Sequence, residues 1–514
     1  MNYLYTIKKI FDFFGYFCGQ YKPTKFFSPM FILMVVIFIL GYTAIALEHP
    51  LKVDKAASAL LTGTILWALY ALNAVDILSL GFSPAWEAVK QASHEILSFI
   101  KPAVENADFD RLWKNQVELA HDTIHFVQHD LNHHLIEIAQ ILFFLAGAMT
   151  IVETVDQHQG FKIITDKIKT TNKVKLLWIL SILTFFMSAT LDNLTTTIVL
   201  VALLRKLIDD QKTRWFFASM MVLAANAGGA WSPIGDVTTI MLWIGGQVTT
   251  LNIIAQLFIP SLVTMLVPLT IVSFTMKGDV QRPVLNSGEE KEFTTAFERK
   301  LLLIMGVGAL LFVPVFKTVT HLPPFLGMLF GLGVIWATTE IMHRKKPLKD
   351  KRKLTIIGIL QKVDMATIFF FLGILSAVAA LQSAGHLAVL SKYLDQNLHN
   401  IYAINLIIGA LSAIVDNVPL VAGAMGMYPI ANADQVLADP YLSSFVVDGH
   451  FWEFLAYCAG TGGSMLIIGS AAGVAAMGLE KIDFIWYLKK ISLLALIGYL
   501  AGAGAYILQV QLLG

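Results

Sequence analysis

The chain has 514 residues, of which 56% are hydrophobic and only 14% are charged. Soluble proteins average about 25% charged residues, so this composition excludes an ordinary soluble protein and indicates one embedded in a membrane. The 37 Lys and Arg residues balance 36 Asp and Glu residues, which leaves no overall basic charge for binding nucleic acid. Two cysteines, Cys18 and Cys458, lie far apart in the sequence. They predict neither a disulfide framework nor a structural metal site, and we expect both to have packing roles.

Apolar runs of transmembrane length recur along the chain. A helix needs about 20 mostly apolar residues to cross the hydrocarbon layer of a bilayer. The short alternating segments that are typical of a membrane β-barrel are absent from the sequence. The pattern therefore predicts an all-α polytopic membrane protein. The apolar runs cover residues 30–47, 56–80, 135–155, 176–190, 194–208, 215–245, 251–276, 300–316, 324–342, 364–381, 401–431, 451–478 and 482–509.

Polar stretches divide the chain into five regions. An N-terminal segment with the first transmembrane helices covers residues 1–83, and an amphipathic, His-rich external segment covers residues 84–134. A first repeat covers residues 135–276, and a connecting region with helices and a basic loop covers residues 277–363. A second repeat covers residues 364–514. The gaps between the apolar runs leave no room for a separate soluble catalytic domain.

The basic residues predict which loops face the cytoplasm. Lys and Arg concentrate on the cytoplasmic side of membrane proteins, so the basic cluster at residues 343–353 predicts a cytoplasmic loop. Residues 162–175 and 205–214 are also basic, and they flank the apolar stretch 176–204. If both flanks are cytoplasmic, this stretch enters and leaves on one side as a re-entrant hairpin with its tip near residues 188–195. Non-helical backbone at membrane depth is tolerated only where protein or water surrounds it.

Two parts of the chain resemble each other and predict an internal repeat. The same spacing of Ser, Asp and Asn occurs at Ser188, Asp192, Asn193 and at Ser412, Asp416, Asn417. A spaced set of three glycines recurs at Gly228, Gly229, Gly235 and at Gly462, Gly463, Gly469. Five predicted crossings separate the starts of the two repeats, and because five is odd the second repeat enters from the opposite face. Inverted repeats are typical of secondary transporters, whose substrate site lies near the bilayer midplane.

Each predicted repeat contains a re-entrant hairpin and a broken transmembrane helix. The hairpins cover about residues 176–208 and 401–431, and the broken helices cover about residues 215–245 and 451–478. Paired glycines and a proline interrupt a helix, and the freed backbone groups can then bind an ion. Close helix packing through small residues is the alternative explanation of the glycines. Asp236 has no acidic counterpart in the second repeat, so the two halves are predicted to be asymmetric.

The acids of the hairpin tips are the strongest candidates for an ion site. An ionised carboxylate at the centre of a bilayer costs about 2.5–3.5 kcal/mol on insertion scales, and this cost is retained where the acid faces a cation, water or a proton pathway. The alternative is an Asp that only caps the backbone of the tip. The accompanying amide and hydroxyl oxygens suit small hard cations. The candidate cation- and proton-binding residues are Ser188, Asp192, Asn193, Thr195, Asn226, Asp236, Thr238, Thr239, Ser412, Asp416, Asn417 and Ser464.

Two further groups of titratable residues lie outside this set. Glu137 and Asp364 precede matching apolar runs, and the pattern predicts that each begins a helix. They are candidates for a proton pathway or, alternatively, acids favoured by the helix dipole. Four histidines recur every four residues and would line one face of a helix, where they could sense pH, bind zinc or form a solvated face. These histidines are His121, His125, His129 and His133.

Several segments together resemble the NhaD-type Na⁺/H⁺ antiporters of the ion transporter superfamily. They are SATLDNLTTTIVLVALLRKL, NAGGAWSPIGDVTTIMLW, SAIVDNVPLVAGAMGMYP and EIAQILFFLAGAMTIVETVDQHQGF. The resemblance covers most of residues 40–510. It implies a multi-pass protein of a bacterial inner membrane that exchanges Na⁺, and also Li⁺, for H⁺ by alternating access, in sodium and pH homeostasis. It also implies a homodimer, Na⁺ at the site described above, and no cofactor.

Other functions remain as alternatives to cation exchange. The same superfamily includes dicarboxylate and arsenite transporters, so an anion carrier is the main alternative. Such a carrier predicts a cationic clamp, whereas no Lys or Arg lies in the hairpin tips or in the glycine-rich spans. The sequence contains neither HExxH nor GxSxG, so an intramembrane enzyme is not expected.

Overall fold

The computed structural model describes residues 28–46, 48–91, 123–165, 167–283, 294–344, 346, 354–414 and 416–513. The regular structure in this part of the chain is helical, apart from one isolated antiparallel bridge between Asn172 and Asp279. Eight of these helices are long and apolar enough to span a membrane. This composition of helices confirms the all-α polytopic class.

The helices of the described residues are numbered here in chain order. The first are α1 (Pro29–Ala46), α2 (Glu48–Leu51), α3 (Lys55–Leu72), α4 (Ala74–Leu78), α5 (Thr123–Gln157), α6 (Lys162–Thr165), α7 (Lys173–Leu191), α8 (Asn193–Leu207), α9 (Gln211–Ala230), α10 (Val237–Ile244) and α11 (Thr250–Thr275). The next are α12 (Ala296–Thr320), α13 (Pro324–Met342), α14 (Ile356–Leu360), α15 (Met365–Ser383), α16 (His386–Asn397), α17 (Ile401–Leu411) and α18 (Asn417–Met427). The last are α19 (Ala433–Ala438), a 3₁₀ turn at Pro440–Phe445, α20 (His450–Gly462), α21 (Ala471–Glu480), α22 (Phe484–Lys490) and α23 (Ser492–Leu513).

Two hydrophobic cores form the interior. The smaller core joins α1, α3, α15 and the first half of α5, where Phe31, Tyr70 and Phe370 are buried. The larger core joins α7 to α11 with α17 to α23, and it includes Trp243 and Trp452. Van der Waals packing, rather than the hydrophobic effect alone, holds helices together in a membrane. The candidate site lies where the two cores meet.

The helices α7 and α8 form the first hairpin. Asp192 interrupts the helix between them with a backbone φ of +77°, a conformation that non-glycine residues adopt rarely. Both ends of the hairpin contact one short segment: the Lys173 N–H donates to the Gly278 carbonyl at 3.0 Å, and the Asp209 N–H donates to the Gln281 carbonyl at 2.9 Å. The chain therefore enters and leaves the first hairpin on one side of the molecule.

The helices α17 and α18 form the second hairpin; the first ends at Leu411 and the second begins at Asn417. Its two ends also meet a single element, the 3₁₀ turn at Pro440–Phe445. The His399 ring stacks on Tyr441 with centroids 4.3 Å apart. At the other end, the Ala431 N–H donates to the Phe445 carbonyl at 3.0 Å.

The helices α9 and α10 form the first broken helix, and α20 and α21 form the second. At one face, the Trp215 indole N–H at the start of the first donates to the Glu480 carbonyl at the end of the second, at 2.9 Å. At the other face, the Thr249 N–H just after the first broken helix donates to Asp448 just before the second, at 2.6 Å. The two broken helices therefore run in opposite directions.

The prediction that Glu137 begins a helix is wrong. The helix α5 runs from Thr123 to Gln157, so Glu137 lies well inside it. Residues 123–134 are polar overall, but Phe126 and Val127 are buried and give this stretch an apolar face. That face allows the helix to continue upstream of the apolar run from which its start was predicted. The matching residue Asp364 does begin a helix, because its carboxylate accepts the Thr367 N–H at 3.2 Å as the N-cap of α15.

Candidate cation site

Asp236 is the centre of the candidate site. It begins α10, and its carboxylate accepts the Thr238 N–H at 3.1 Å as an N-cap. The same carboxylate also accepts the Asn193 side-chain amide at 2.8 Å and the Asn417 amide at 3.3 Å. Asn193 and Asn417 are the equivalent residues of the two hairpins, so both hairpin tips converge on one carboxylate. Asp236 is only 2% exposed.

Thr239 fixes the backbone on which Asp236 is presented. Its hydroxyl donates to the Asp236 carbonyl at 2.9 Å and accepts the Asp236 N–H at 3.2 Å, which completes a capping box at the start of α10. Capping side chains satisfy N–H groups that the first turn of a helix leaves unpaired. Asp236 is therefore both an N-cap and the acceptor of the two tip amides.

Asp192 lies at the tip of the first hairpin. Its carboxylate accepts the Thr195 N–H and the Thr195 hydroxyl, each at 2.8 Å, and it is 8% exposed. The capping interpretation and the ion-binding interpretation are therefore compatible. A carboxylate can accept about four hydrogen bonds, so these two leave acceptor capacity free for a cation.

Asp416 occupies the equivalent place in the second hairpin, with two differences. Its backbone φ is −49°, and its carboxylate accepts a long bond from the Val418 N–H at 3.3 Å. It is partly exposed, whereas Asp192 and Asp236 are buried. Asp192, Asp236 and Asp416 all border one small cavity. Because like charges repel strongly away from bulk water, the site favours partial protonation or a bound cation.

Asn226 connects the first half of the site to the second. Its amide oxygen accepts the Asn193 amide at 3.1 Å. Its amide nitrogen donates to the hydroxyls of Ser464 and Ser470, each at 2.9 Å. Asn226 is fully buried, and a buried amide needs such partners to offset its desolvation. Ser470 is the N-cap of α21, the position that Asp236 holds in the first half.

Close backbone contacts hold each hairpin against its own broken helix. The Ser188 hydroxyl donates to the Ala225 carbonyl at 2.6 Å, and the Ser412 hydroxyl donates to the Ala459 carbonyl at 3.0 Å. A Cβ added at Gly228 would lie 2.2 Å from the Phe185 carbonyl oxygen, and one added at Gly462 would lie 2.1 Å from the Gly409 oxygen. Only glycine allows this approach, which explains the repeated glycine pairs. Ser188 and Ser412 thus position the tips and already have backbone partners.

A small cavity lies between the three acids. Its volume is about 20 Å³, and Asp192, Asp236, Asp416, Asn193 and Asn417 contribute to its lining. A volume of roughly 10–15 Å³ on this measure holds one water molecule. The cavity therefore matches a single small ion or water. Thr367, Leu145 and Phe371 complete the lining from α5 and α15, on the side of the smaller core.

A larger cavity, which we call the vestibule, adjoins the small one. It has a volume of about 360 Å³ and shares Asp416, Thr367 and Phe371 with it. Six acidic residues line the vestibule against two lysines, and a surplus of one sign concentrates ions of the other. The charged residues of the lining are Glu48, Asp54, Lys55, Glu153, Asp156, Lys362, Asp364 and Asp416.

The remaining predicted residues lie away from the three acids. Glu137 is exposed on α5 and pairs with His134 at 3.5 Å and with His133 at 4.0 Å. His125 and His129 are exposed on the same helix, and His121 lies outside the described residues. Asp364 lines the vestibule and accepts the Thr367 hydroxyl at 2.6 Å.

Three residues of the site were not among the sequence candidates. Thr367, Lys55 and Ser470 reach the site only through the packing of helices that are distant in the chain. Ser470 could have been found by alignment, because it follows Gly469 as Asp236 follows Gly235. Thr367 and Lys55 have no counterpart in the repeat.

Hairpins opposed across two antiparallel broken helices, with buried acids between them, define a membrane transporter. A family model described as "Citrate transporter" matches residues 36–447 of the chain. "Sodium/proton antiporter 1" of Arabidopsis thaliana is 43% identical over 478 residues, covering 93% of this chain and 72% of the relative. "Sodium/proton antiporter 2" of the same plant is 45% identical over 418 residues, covering 80% and 95%. "Na(+)/H(+) antiporter NhaD" of Alkalimonas amylolytica is 30% identical over 433 residues, covering 79% and 85%.

These matches extend over most of the chain and include both halves of the site. The chain belongs to the NhaD-type antiporters of the ion transporter superfamily. It is a multi-pass membrane protein.

Proposed function

We propose that the protein exchanges Na⁺ for H⁺ across the membrane, with both ions competing for Asp192, Asp236 and Asp416. The observation that carries the proposal is the convergence of Asn193 and Asn417 on the Asp236 carboxylate. Protonation neutralises an acid in this buried setting, and Na⁺ requires the ionised form. Binding of one ion therefore expels the other.

The chemistry of the lining supports a hard cation as substrate. Na⁺ binds oxygen ligands, and three acids and two asparagines from both halves of the molecule border the small cavity together with apolar side chains. Asn226, Ser464, Thr195 and Thr238 would supply or position further oxygens in the bound state. Li⁺, a smaller hard cation, is the second substrate that we propose.

The description of the family model makes a carboxylate such as citrate the second candidate substrate. A carboxylate carrier needs positive groups and a volume for several carbon atoms. The described lining of the small cavity contains three acids and neither Lys nor Arg, within about 20 Å³. These properties favour a monatomic cation.

Alternating access would arise from movement between the two cores. In this proposal, the hairpins and broken helices carry the bound ion and move as a unit relative to α1, α3 and α15, as in inverted-repeat transporters. The vestibule adjoins the ends of α5 and α14, and α6 follows α5 within the basic stretch 162–175. If those basic loops are cytoplasmic, the site here is open towards the cytoplasm. We place the protein in a bacterial inner membrane as a homodimer, in sodium and pH homeostasis.

Proteoliposomes with a trapped pH-sensitive dye test the proposal. Addition of Na⁺ or Li⁺ should change the internal pH, and addition of citrate at matched ionic strength should not. The D236N variant should lose the response. Asp210 is the matched control, because it also caps a helix of the first repeat but is exposed; D210N should keep the wild-type response. A citrate response without a Na⁺ response would overturn the proposal.

A further inference from the structure

The two lysines of the vestibule differ in what they contact. The Lys362 ammonium group is held by the side-chain oxygen of Gln157, at the end of α5. The Lys55 ammonium group lies 4.6 Å from the centroid of the Phe370 ring, and Lys55 lines the vestibule together with Asp416. An ammonium group over an aromatic face gains a modest cation–π attraction. The Lys55 ammonium group therefore lies against α15, a helix that also lines the small cavity, whereas the Lys362 ammonium group is bonded to α5.

Lys55 and Asp416 belong to the two parts of the molecule that meet at the site. Lys55 is the first residue of α3, which packs closely along α15 in the smaller core. Asp416 caps α18 in the second hairpin. A pairing of these two residues would therefore span the boundary across which movement is proposed. Phe371, the neighbour of Phe370, lines the small cavity itself.

Asp416 is the acid of the site that is best placed to change its partner. Asp192 and Asp236 each accept hydrogen bonds of 2.8 Å from side chains beside them. The bond that Asp416 accepts from Val418 is longer, at 3.3 Å, and the side chain is partly exposed. A carboxylate with weak local partners is stabilised mainly by the nearest cation. Two lysines line the vestibule with Asp416 among the described residues, and of these Lys362 is bonded to Gln157, which leaves Lys55 as the candidate.

We infer that Lys55 is a tethered counter-cation of Asp416, which Na⁺ displaces when it binds in the small cavity. The inference rests on the proposed Na⁺/H⁺ exchange and names a residue that sets its affinity. Two positive charges near one carboxylate repel each other, so the lysine weakens Na⁺ binding. When Na⁺ leaves, the lysine neutralises Asp416 again and allows the unloaded site to move back.

The variant K55Q tests this competition by Na⁺ titration calorimetry on the purified protein at alkaline pH. Removing the competing charge should lower the dissociation constant for Na⁺ roughly tenfold, which corresponds to unit charges about 12 Å apart at an effective dielectric constant near 20. The maximal exchange rate in proteoliposomes should fall, because Asp416 then lacks its cation on the return step. K55R should keep both values near those of the wild type.

K362Q is the matched control, since it removes the other vestibule lysine. Its dissociation constant for Na⁺ should stay within about twofold of the wild type. Unchanged or weaker Na⁺ binding by K55Q would overturn the inference. An equal decrease of the Na⁺ dissociation constant in K362Q would also overturn it. A structural role for Lys55 would lower the exchange rate without tightening Na⁺ binding.

A measurement on the wild-type protein keeps the inference testable if K55Q does not fold. Na⁺ should free the Lys55 amine, so its labelling by an amine-reactive reagent, read by peptide mass spectrometry, should be faster in Na⁺ than in choline. Labelling of Lys362 should not change. Equal or slower labelling of Lys55 in Na⁺ would contradict the inference. Failure of the wild type to bind Na⁺ would instead contradict the proposed function. The two proposals therefore fail by different results.

Discussion

The first and second half-sites are built alike but carry different chemistry. Each hairpin tip is tied to its broken helix by a serine hydroxyl, at Ser188 and Ser412, and by a glycine that lies against a carbonyl group. Yet the first half has Asp236 where the second has Ser470, as caps of equivalent helices. The serine and glycine contacts hold each hairpin tip against its broken helix. The presence of Asp236 in place of a serine concentrates negative charge in the first half.

The tip acids show the same asymmetry. Asp192 is buried, with a backbone φ of +77° and two short bonds from Thr195. Asp416 has an ordinary φ of −49° and lines the vestibule, as does Lys55. A duplicated scaffold thus supports one half whose tip acid accepts short hydrogen bonds and one half whose tip acid lines the vestibule.

The largest expected effect is that of D236N. An amide at this position cannot accept both tip amides as a charged carboxylate does, so Na⁺-dependent exchange should fall more than about 100-fold. The double variant D236S/S470D moves the acid to the second half. It should stay inactive, because Asn193 lies beside residue 236 and Ser470 lies beside Asn226. Dye-loaded proteoliposomes measure both. Activity of the double variant near that of the wild type would show that the halves are interchangeable.

The tip acids should differ from each other when tested in the same assay. D192N should abolish exchange, because it removes a buried charge from the ion's immediate surroundings. D416N should retain a fraction of the maximal rate and bind Na⁺ about tenfold more weakly, because the partly exposed carboxylate contributes a screened attraction. An inactive D416N variant together with an active D192N variant would contradict the predicted difference between the two tip acids.

The glycines of the two halves should respond alike. In both G228A and G462A the added methyl group would lie within 2.2 Å of a backbone oxygen of the adjacent hairpin, and such overpacking costs about 1–3 kcal/mol or more. Both variants should unfold at lower temperature in detergent. Gly504 is the matched control, because a Cβ there would meet no atom within 4 Å. Destabilisation of one half only would show that the tips are held differently.

The smallest effect is expected at the tip serines. S188A and S412A each remove one buried hydroxyl-to-carbonyl bond, which should lower the free energy of unfolding by about 1 kcal/mol. Thr190→Ala is the control, because this partly exposed residue donates its hydroxyl within its own helix, to the Met187 carbonyl. Tryptophan fluorescence during thermal unfolding measures all three. A much larger loss of transport than of stability in S412A alone would assign that hydroxyl to the ion.

Much of this arrangement could be predicted from the sequence because its determinants are local. Apolar runs of about 20 residues indicate the spans, and glycines, prolines and isolated acids mark the interruptions at Asp192 and Asp236. The spacing of the repeat is sufficient to assign Asp192, Asn193 and Asn417 to one site, because equivalent residues of inverted repeats meet near the midplane.

The remainder depended on packing between distant helices. Lys55 and Thr367 reach the site because α3 and α15 pack together beside the hairpins, and neither residue is part of a recurring pattern. The start of α5 was misplaced because the buried Phe126 and Val127 are separated by polar residues from the apolar run. A short apolar face within a polar stretch gives only a weak local signal for a helix.

The central claim is that Na⁺ and protons compete for carboxylates around Asp236. Its most direct test is proton release from the purified protein, followed with a pH indicator in weakly buffered detergent solution as Na⁺ is added. The account predicts release by the wild type and D210N, and none by D236N. Na⁺ binding without proton release by the wild type, or undiminished release by D236N, would contradict it.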